Sequence, residues 1–376
     1  MNSCKFQLFL SGGNDEERTA TAGSMAELPE TMLGWTKVRP EEDGFELLEH
    51  PLPSPRPEEI LVKTLSTSIC GSDIHIWKWD EWAQQEVPLG TVTGHETCGH
   101  VVALGKGVTS HKIGDFISVE CHLACWKCPR CEEGNAHVCE EGSIFGVHSN
   151  GAFAPYFTIL ASSARHNPAG LDPAHGSIQD PLGNAIHTLT GGPVKGANVA
   201  IHGLGPIGLF AVDVARNMGA AKIIATDWDN SYRMDIARRL GADIVLSKEH
   251  DVVAEILEAT DGAGADNSCE FSGAPAALSN AIKSTRMGGY LNILGVYGSD
   301  PKVPINEIVF RYLHVKGING RRMWATWDTM QDLLVEGGLD IESVLSHRMP
   351  WTEYKQAIAL MVTGECGKVV LDFDQS

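Results

Sequence analysis

Asn198-Val199-Ala200-Ile201-His202-Gly203-Leu204-Gly205-Pro206-Ile207-Gly208 is the stretch on which the reading of this chain turns. Asn198 to His202 has the apolar content of a short buried strand, and the apolar text of residues 207–218 reads as a helix, so the glycines stand where a strand hands over to a helix. A second strand, Ala221-Lys222-Ile223-Ile224-Ala225-Thr226, ends in Asp227, 19 residues after Gly208. Together these form a dinucleotide fingerprint. Gly203, Gly205 and Gly208, with Pro206 and Ile207 between them, let backbone approach a pyrophosphate; the helix N-terminus stabilises its charge and the acid takes the ribose 2′-hydroxyl. Asp227 would repel a 2′-phosphate, which favours NAD over NADP. Arg233 is near enough to touch the adenosine end, and a surface salt bridge accounts for it equally well.

Downstream, strand-like text at 244–246, 268–271 and 290–295 alternates with helical text, as repeated βα units require. Leu294-Gly295-Val296 then falls at the C-terminal end of a strand, where a doubly wound sheet binds its ligand. From about Gly317 the text is mixed, and this tail is expected to pack back on the first region. Upstream, Pro51, Pro53, Pro55 and Pro57 step every second residue through extended text. Glu59-Ile60-Leu61-Val62-Lys63-Thr64 reads as a strand leading to a loop at Cys70, and 100–105 and 115–119 read as further strands. The chain is therefore α/β, a mostly β region followed by a doubly wound sheet.

The β region carries the chemistry. Ile69-Cys70-Gly71-Ser72-Asp73-Ile74-His75 supplies a thiolate, a hydroxyl and an imidazole, and Gly94-His95-Glu96 follows. Cys70 and His95 are natural ligands for a catalytic zinc, which takes three protein ligands and keeps a position for water or substrate. Ser72 could accept a proton from an alcohol at the metal and pass it toward His75. Taken singly, a Cys is usually a small buried hydrophobe and a His a satisfied structural one; it is the combination that points to alcohol oxidation. Cys125, Cys128, Cys131 and Cys139 suit a closed tetrahedral zinc that fixes a loop rich in Gly, Pro and charge. An iron–sulfur cluster also uses four cysteines, but the spacing is unlike the bacterial ferredoxin run. Cys121 and His122 are read as bystanders. Asp180, in Asp180-Pro181-Leu182-Gly183-Asn184-Ala185-Ile186-His187, is either a helix N-cap or a further zinc ligand or outer-shell partner. Trp77-Lys78-Trp79-Asp80-Glu81-Trp82 is a packed surface helix, a subunit contact or a substrate lid.

Composition narrows the partners. A chain of 376 residues is long for one domain and comfortable for two. A formal charge of -19 argues against nucleic acid, whose phosphates need clustered Lys and Arg. No apolar run approaches the ~18 residues that span a bilayer, so no membrane role is expected. Residues 1–34 read as a mobile extension too acidic for a transit peptide, with Met25 or Met32 as possible starts. Ten cysteines without a signal peptide favour metal binding over disulfides and a cytoplasmic location.

With these residues placed, the chain resembles the zinc-dependent medium-chain dehydrogenases, and within them the threonine dehydrogenase branch. The general likeness rests on Cys70, Gly94-His95-Glu96, the four cysteines and the Gly203 to Gly208 loop. The narrower likeness rests on the Cys70 stretch with Trp79-Asp80-Glu81-Trp82, on Asp180 to His187, and on Lys316-Gly317-Ile318-Asn319-Gly320-Arg321. The resemblance implies a GroES-like catalytic domain (35–180 and 318–376, with a structural zinc lobe at about 121–140) and a Rossmann NAD-binding domain (181–317). It also implies one catalytic and one structural Zn²⁺ per chain and a homotetramer. Cys70, His95 and Glu96 would hold the catalytic zinc, with Asp180 beside it and Ser72 and His75 as proton relay. Ile207, Asp227, Arg233, Leu294, Gly295, Val296, Ile318 and Asn319 would line NAD. The implied reaction is oxidation of the 3-hydroxyl of L-threonine to 2-amino-3-oxobutanoate. Ser72 stands where a threonine is usual, Asn319 where an aromatic is common, and one extra residue separates Asp227 from Arg233. Alternatives are another vicinal amino alcohol, diol or polyol as substrate, or a non-catalytic protein that keeps NAD and zinc; a thiol redox sensor fits less well, since zinc-locked thiolates are structural.

Overall fold

A computed structural model describes residues 28–373. The fingerprint strand Asn198–His202 lies inside a six-stranded parallel sheet in the order Ile244–Leu246, Lys222–Thr226, Asn198–His202, Ala265–Glu270, Thr285–Ile293, His314–Gly317. Its central strands are buried on both faces, which is why Val199, Ala200, Ile201, Ile223, Ile224 and Ala225 form continuous apolar text without alternation. Helix Pro206–Asn217 starts with Pro206 in its first turn, where a missing N–H costs nothing, and buries every residue from Gly208 to Ala215.

The other large sheet has seven strands, and its register builds the chemistry. Strand Glu59–Ser68 pairs with Glu96–Leu104 so that Ser68 faces Glu96, and with Lys368–Asp372 so that Ser68 also faces Val370. Cys70, two residues beyond Ser68, therefore meets Glu96 and Lys368 at one end of the sheet. The tail divides its allegiance. Strands Leu345–Pro350 and Lys368–Asp372 enter this sheet, whereas Trp327 and Met330 of helix Ala325–Glu336 share a core with Leu182 and Ile186 of helix Gln179–Leu189.

Two expectations change here. Strand Thr31–Lys37 pairs with Phe45–Pro51, so residues 31–34 of the expected extension are sheet; residues 1–27 lie outside the described residues. Asp180 is not an N-cap. It is the second residue of helix Gln179–Leu189, whose cap position is Ile178.

Candidate active site and metal centres

Cys70 is the N-cap of helix Gly71–Lys78, where the Asp73 carboxylate accepts the Cys70 N–H at 2.8 Å. This turn aims the thiol back toward the sheet end. One ligand atom from each of Cys70, His95 and Glu96 lies within 4.8 Å of the others. His95 turns Nδ1 toward Asp73 Oδ1 at 3.9 Å and Nε2 toward Ser72 Oγ at 3.3 Å. Glu96 is divided in the same way. Its Oε2 takes the Ser68 hydroxyl and the Lys368 ammonium, while Oε1 is buried with no hydrogen-bond partner.

A buried carboxylate oxygen without a donor is costly, and a cation at this point would satisfy it. The soft thiolate, imidazole and orphaned Oε1 thus fit a zinc ion. Lys368 is itself buried and also donates to the Ile69 carbonyl at 2.6 Å. Burial pulls its pKa down, but the charges of Glu96 and Cys70 leave it raised, so the ammonium persists. Asp73 is completely buried, and that burial pushes its carboxyl up to about 6. Asp73 and Lys368 are the supporting residues that sequence reasoning missed. Asp73 could have been found as the third residue after a helix-opening Cys; Lys368, nearly 300 residues away, leaves no local signal.

Asp180 stands outside this ligand group. Its Oδ1 faces Arg321 at 2.7 Å and Asn184 at 3.2 Å, and its Oδ2 accepts the Cys121 thiol at 3.0 Å. Direct ligation would require giving up these partners. Arg321 is fully buried; it pairs with Glu120 and reaches Cys121 and His122. Glu120, Cys121 and His122 also lie close enough to hold a metal, but the guanidinium already occupies the centre of their charge. The two residues read as bystanders are thus built into the surroundings of Asp180.

Ser72 and His75 are three apart on one helix and share a face. Ser72 looks inward to His95, whereas the His75 side chain is 55% exposed and its Nδ1 meets Asp80. The face runs from the ligand cluster to solvent.

Cys125, Cys128, Cys131 and Cys139 converge in the lobe, with Cys128 Sγ at 3.6 Å from Cys131 Sγ and 3.8 Å from Cys139 Sγ. None is in a disulfide. Without a cation the thiols divide: backbone N–H groups of Cys131 and Glu140 hold the Cys128 thiol down at about 6, while burial pushes Cys131 up to about 12 and Cys139 up as well. Four sulfurs with no oxygen or nitrogen ligand among them fit a closed structural zinc.

The glycine loop fits a pyrophosphate. Gly203 has φ +97°, and a Cβ there would press on Ser272; a Cβ on Gly208 would lie 2.0 Å from the Gly203 carbonyl. At Gly205, by contrast, the space a Cβ would enter is open, which leaves a cradle at the N-terminus of helix Pro206–Asn217. Asp227 follows strand Lys222–Thr226 and accepts the Leu204 N–H at 2.9 Å, fixing the loop. Leu294 and Gly295 both donate to the Glu270 carbonyl, Ile318 N–H bonds the Ile293 carbonyl, and Asn319 is exposed beside it; these segments border the C-terminal ends of the sheet strands. Val296 is exposed. Arg233 Nε donates to the Cys366 carbonyl at 2.9 Å and ties the nucleotide region to the tail.

Comparison with known proteins agrees with this geometry. The family described as "Alcohol dehydrogenase GroES-like domain" matches residues 56–168, and "Zinc-binding dehydrogenase" matches residues 206–336. The chain is 41% identical to an L-threonine 3-dehydrogenase of Pyrococcus furiosus over 91% of its length and 99% of the relative's. It is 43% identical to one of Bacillus licheniformis, over 89% of this chain and 96% of the relative. Among solved structures, a zinc-binding dehydrogenase from Sinorhizobium meliloti bound to NADP superposes with a TM-score of 0.84 at 27% identity, covering 92% of this chain and all of that one. With the glycine loop, the mixed-donor cluster and the four-cysteine lobe each in place, the chain belongs to the zinc-dependent medium-chain dehydrogenases.

Proposed function

We propose that this enzyme oxidises the 3-hydroxyl of L-threonine with NAD⁺ as acceptor. The observation that carries the reading is the gathering of Cys70, His95 and Glu96, with the Glu96 Oε1 left without a hydrogen-bond partner, beside the Ser72 hydroxyl. The threonine assignment rests on the relatives named above. Cys70, His95 and Glu96 would hold the catalytic zinc and Cys125, Cys128, Cys131 and Cys139 the structural one, one of each per chain. Bound zinc would supply the Lewis acidity that makes an alcohol hydroxyl acidic near neutral pH, and bound NAD⁺ would be the hydride acceptor.

The chain's own groups do the rest. Ser72 accepts the substrate proton and His75, at the solvent end of the same face, releases it. Lys368 and Asp73 keep Glu96 and His95 turned toward the ligand centre. Arg321, Cys121 and Asn184 hold Asp180 as an outer-shell carboxylate. Gly203, Gly205, Pro206, Ile207 and Gly208 receive the pyrophosphate, Asp227 the adenosine ribose, and Leu294, Gly295, Val296, Ile318 and Asn319 the nicotinamide side. Arg233 keeps its place at the adenosine end through its backbone position, with its side chain committed to Cys366. Asp227 favours NAD even though a relative binds NADP.

The edge strand His314–Gly317 is exposed at all four residues and bordered by exposed Phe310 and Tyr312, which suits antiparallel pairing with a second copy and supports a homotetramer. Thiolate ligands that must stay reduced support a cytoplasmic setting. Among the described residues no helix is long and apolar enough to cross a membrane.

The test is NADH formation by zinc-loaded protein with L-threonine, butane-2,3-diol, sorbitol and serine, each repeated with NADP⁺. Preference for threonine and NAD⁺ is expected. Activity on another alcohol alone would keep the chemistry and overturn the substrate; no turnover on any of them by protein with both zinc sites filled would overturn the enzyme reading. Light scattering of the same sample checks the tetramer.

A further inference from the structure

We infer that Asp80 is the positioning residue for His75, fixing which ring nitrogen carries the proton and so making His75 able to receive one. The inference rests on the relay reading above.

Asp80 is drawn to His75 by a rigid corner. Helix Gly71–Lys78 ends at Trp79, whose φ of +55° is left-handed, and helix Glu81–Glu86 begins after Asp80. The corner is held from several sides. The buried Lys37 ammonium donates to the Trp77 carbonyl at 3.4 Å and lies 4.9 Å from the Trp79 ring, and the Gln84 amide donates to the Trp79 carbonyl at 2.8 Å. Asp80 Oδ1 accepts the Ala83 N–H at 3.1 Å as N-cap, which leaves Oδ2 turned back on His75 Nδ1. The His75 ring packs edge-on against Trp82 with centroids 6.1 Å apart.

An ionised carboxylate only accepts hydrogen bonds, so the ring proton sits on Nδ1. Nε2 is then a bare lone pair, and among the described residues it has no partner. In the opposite tautomer Nε2 would carry the hydrogen and could accept none. When Nε2 accepts a proton, the new N–H bond makes an imidazolium whose Nδ1–H stays on Asp80; release of the Nε2 proton to water restores the starting state. The logic is that of a carboxylate orienting a histidine base, applied here to a proton exit.

Asp80→Asn keeps an oxygen for the Ala83 cap and removes the charge, which separates positioning from helix capping. The single-turnover rate of NADH formation from L-threonine and NAD⁺ should fall roughly 10- to 100-fold, with half-saturating threonine changed less than about threefold, and Asp80→Glu should recover part of the loss. A second readout needs no cofactor. Carbethoxylation of His75 by diethylpyrocarbonate, followed by peptide mass spectrometry, should slow severalfold in Asp80→Asn, while that of His148 stays as it was. If His75→Ala slows turnover but Asp80→Asn leaves both turnover and His75 reactivity unchanged, the positioning role is overturned and the relay stands. If His75→Ala leaves turnover unchanged, the relay fails and takes this role with it. A loss of activity in Asp80→Asn that comes with a lowered melting temperature and unaltered His75 reactivity would mark Asp80 as a cap only, again overturning the inference.

Discussion

Cys70, His95 and Glu96 come from a helix N-cap and from a sheet strand with its lead-in, and other buried groups stand behind two of them: Asp73 at 3.9 Å from His95, Lys368 and Ser68 on Glu96. Cys125, Cys128, Cys131 and Cys139 come from one loop with a 3₁₀ turn and a single-turn helix, and behind them stand Ala124, Ala136 and Met323 with the half-buried Trp324. The first site exists because the fold holds it open at mixed donors with a hydroxyl at hand. The second holds its own piece of the fold together, since the loop has too little apolar content to do so. A metal should therefore govern chemistry at one site and stability at the other.

Cys70→Ser should produce the largest effect. Turnover should fall by roughly 10³-fold or more as the Lewis acid is lost, with one zinc equivalent gone, the other retained, and a melting temperature within ~3 °C of the parent. Full activity with full zinc content would break the comparison at its first term. Cys128→Ser should invert the pattern. The lobe zinc should leave and the melting temperature should drop by roughly 10 °C, while turnover per remaining zinc changes less than about threefold. Metal analysis beside calorimetry checks both. Loss of both metals from either variant would show that the sites are not separable.

The lobe was the more legible of the two in sequence, because a loop that fixes itself with sulfur must carry all its ligands within a few residues. The fingerprint Gly203 to Gly208 was legible for a similar reason: strand, turn and helix are contiguous. The open site was legible only at its ligands. Lys368 reaches Glu96 through the register of two strand pairings, and Cys121 reaches Asp180 through a helix packed on the sheet, neither of which leaves a local pattern. The Nε partner of Arg233 was illegible for the same reason, since it is a carbonyl supplied by the distant tail.

Lys368 offers a smaller test of what holds the open site. Lys368→Met leaves a buried Glu96 without its counter-charge and should cost about 3 kcal/mol, roughly 6 °C in melting temperature. The double variant with Glu96→Leu, read for stability alone, should regain much of this. If Lys368→Met were as stable as the parent, the bound metal would be neutralising Glu96 unaided, and the open site would depend on its surroundings no more than the lobe does.

The smallest effect concerns the lobe's surface. Lys127 and Glu141 pair at 3.5 Å with side chains 74% and 60% exposed, and Arg130 pairs with Glu133 and Glu140. These charges border the sulfur cluster and would be the obvious alternative explanation for its order. Exposed pairs contribute at most about 1 kcal/mol and often nothing, because water screens the attraction and ordering two long side chains opposes it. Lys127→Ala should accordingly shift the melting temperature by less than ~2 °C and leave zinc retention under a chelator unchanged. A shift approaching that of Cys128→Ser would mean that charge rather than sulfur closes the loop. Set against that variant, a null result at Lys127 assigns the lobe's order to the four thiolates.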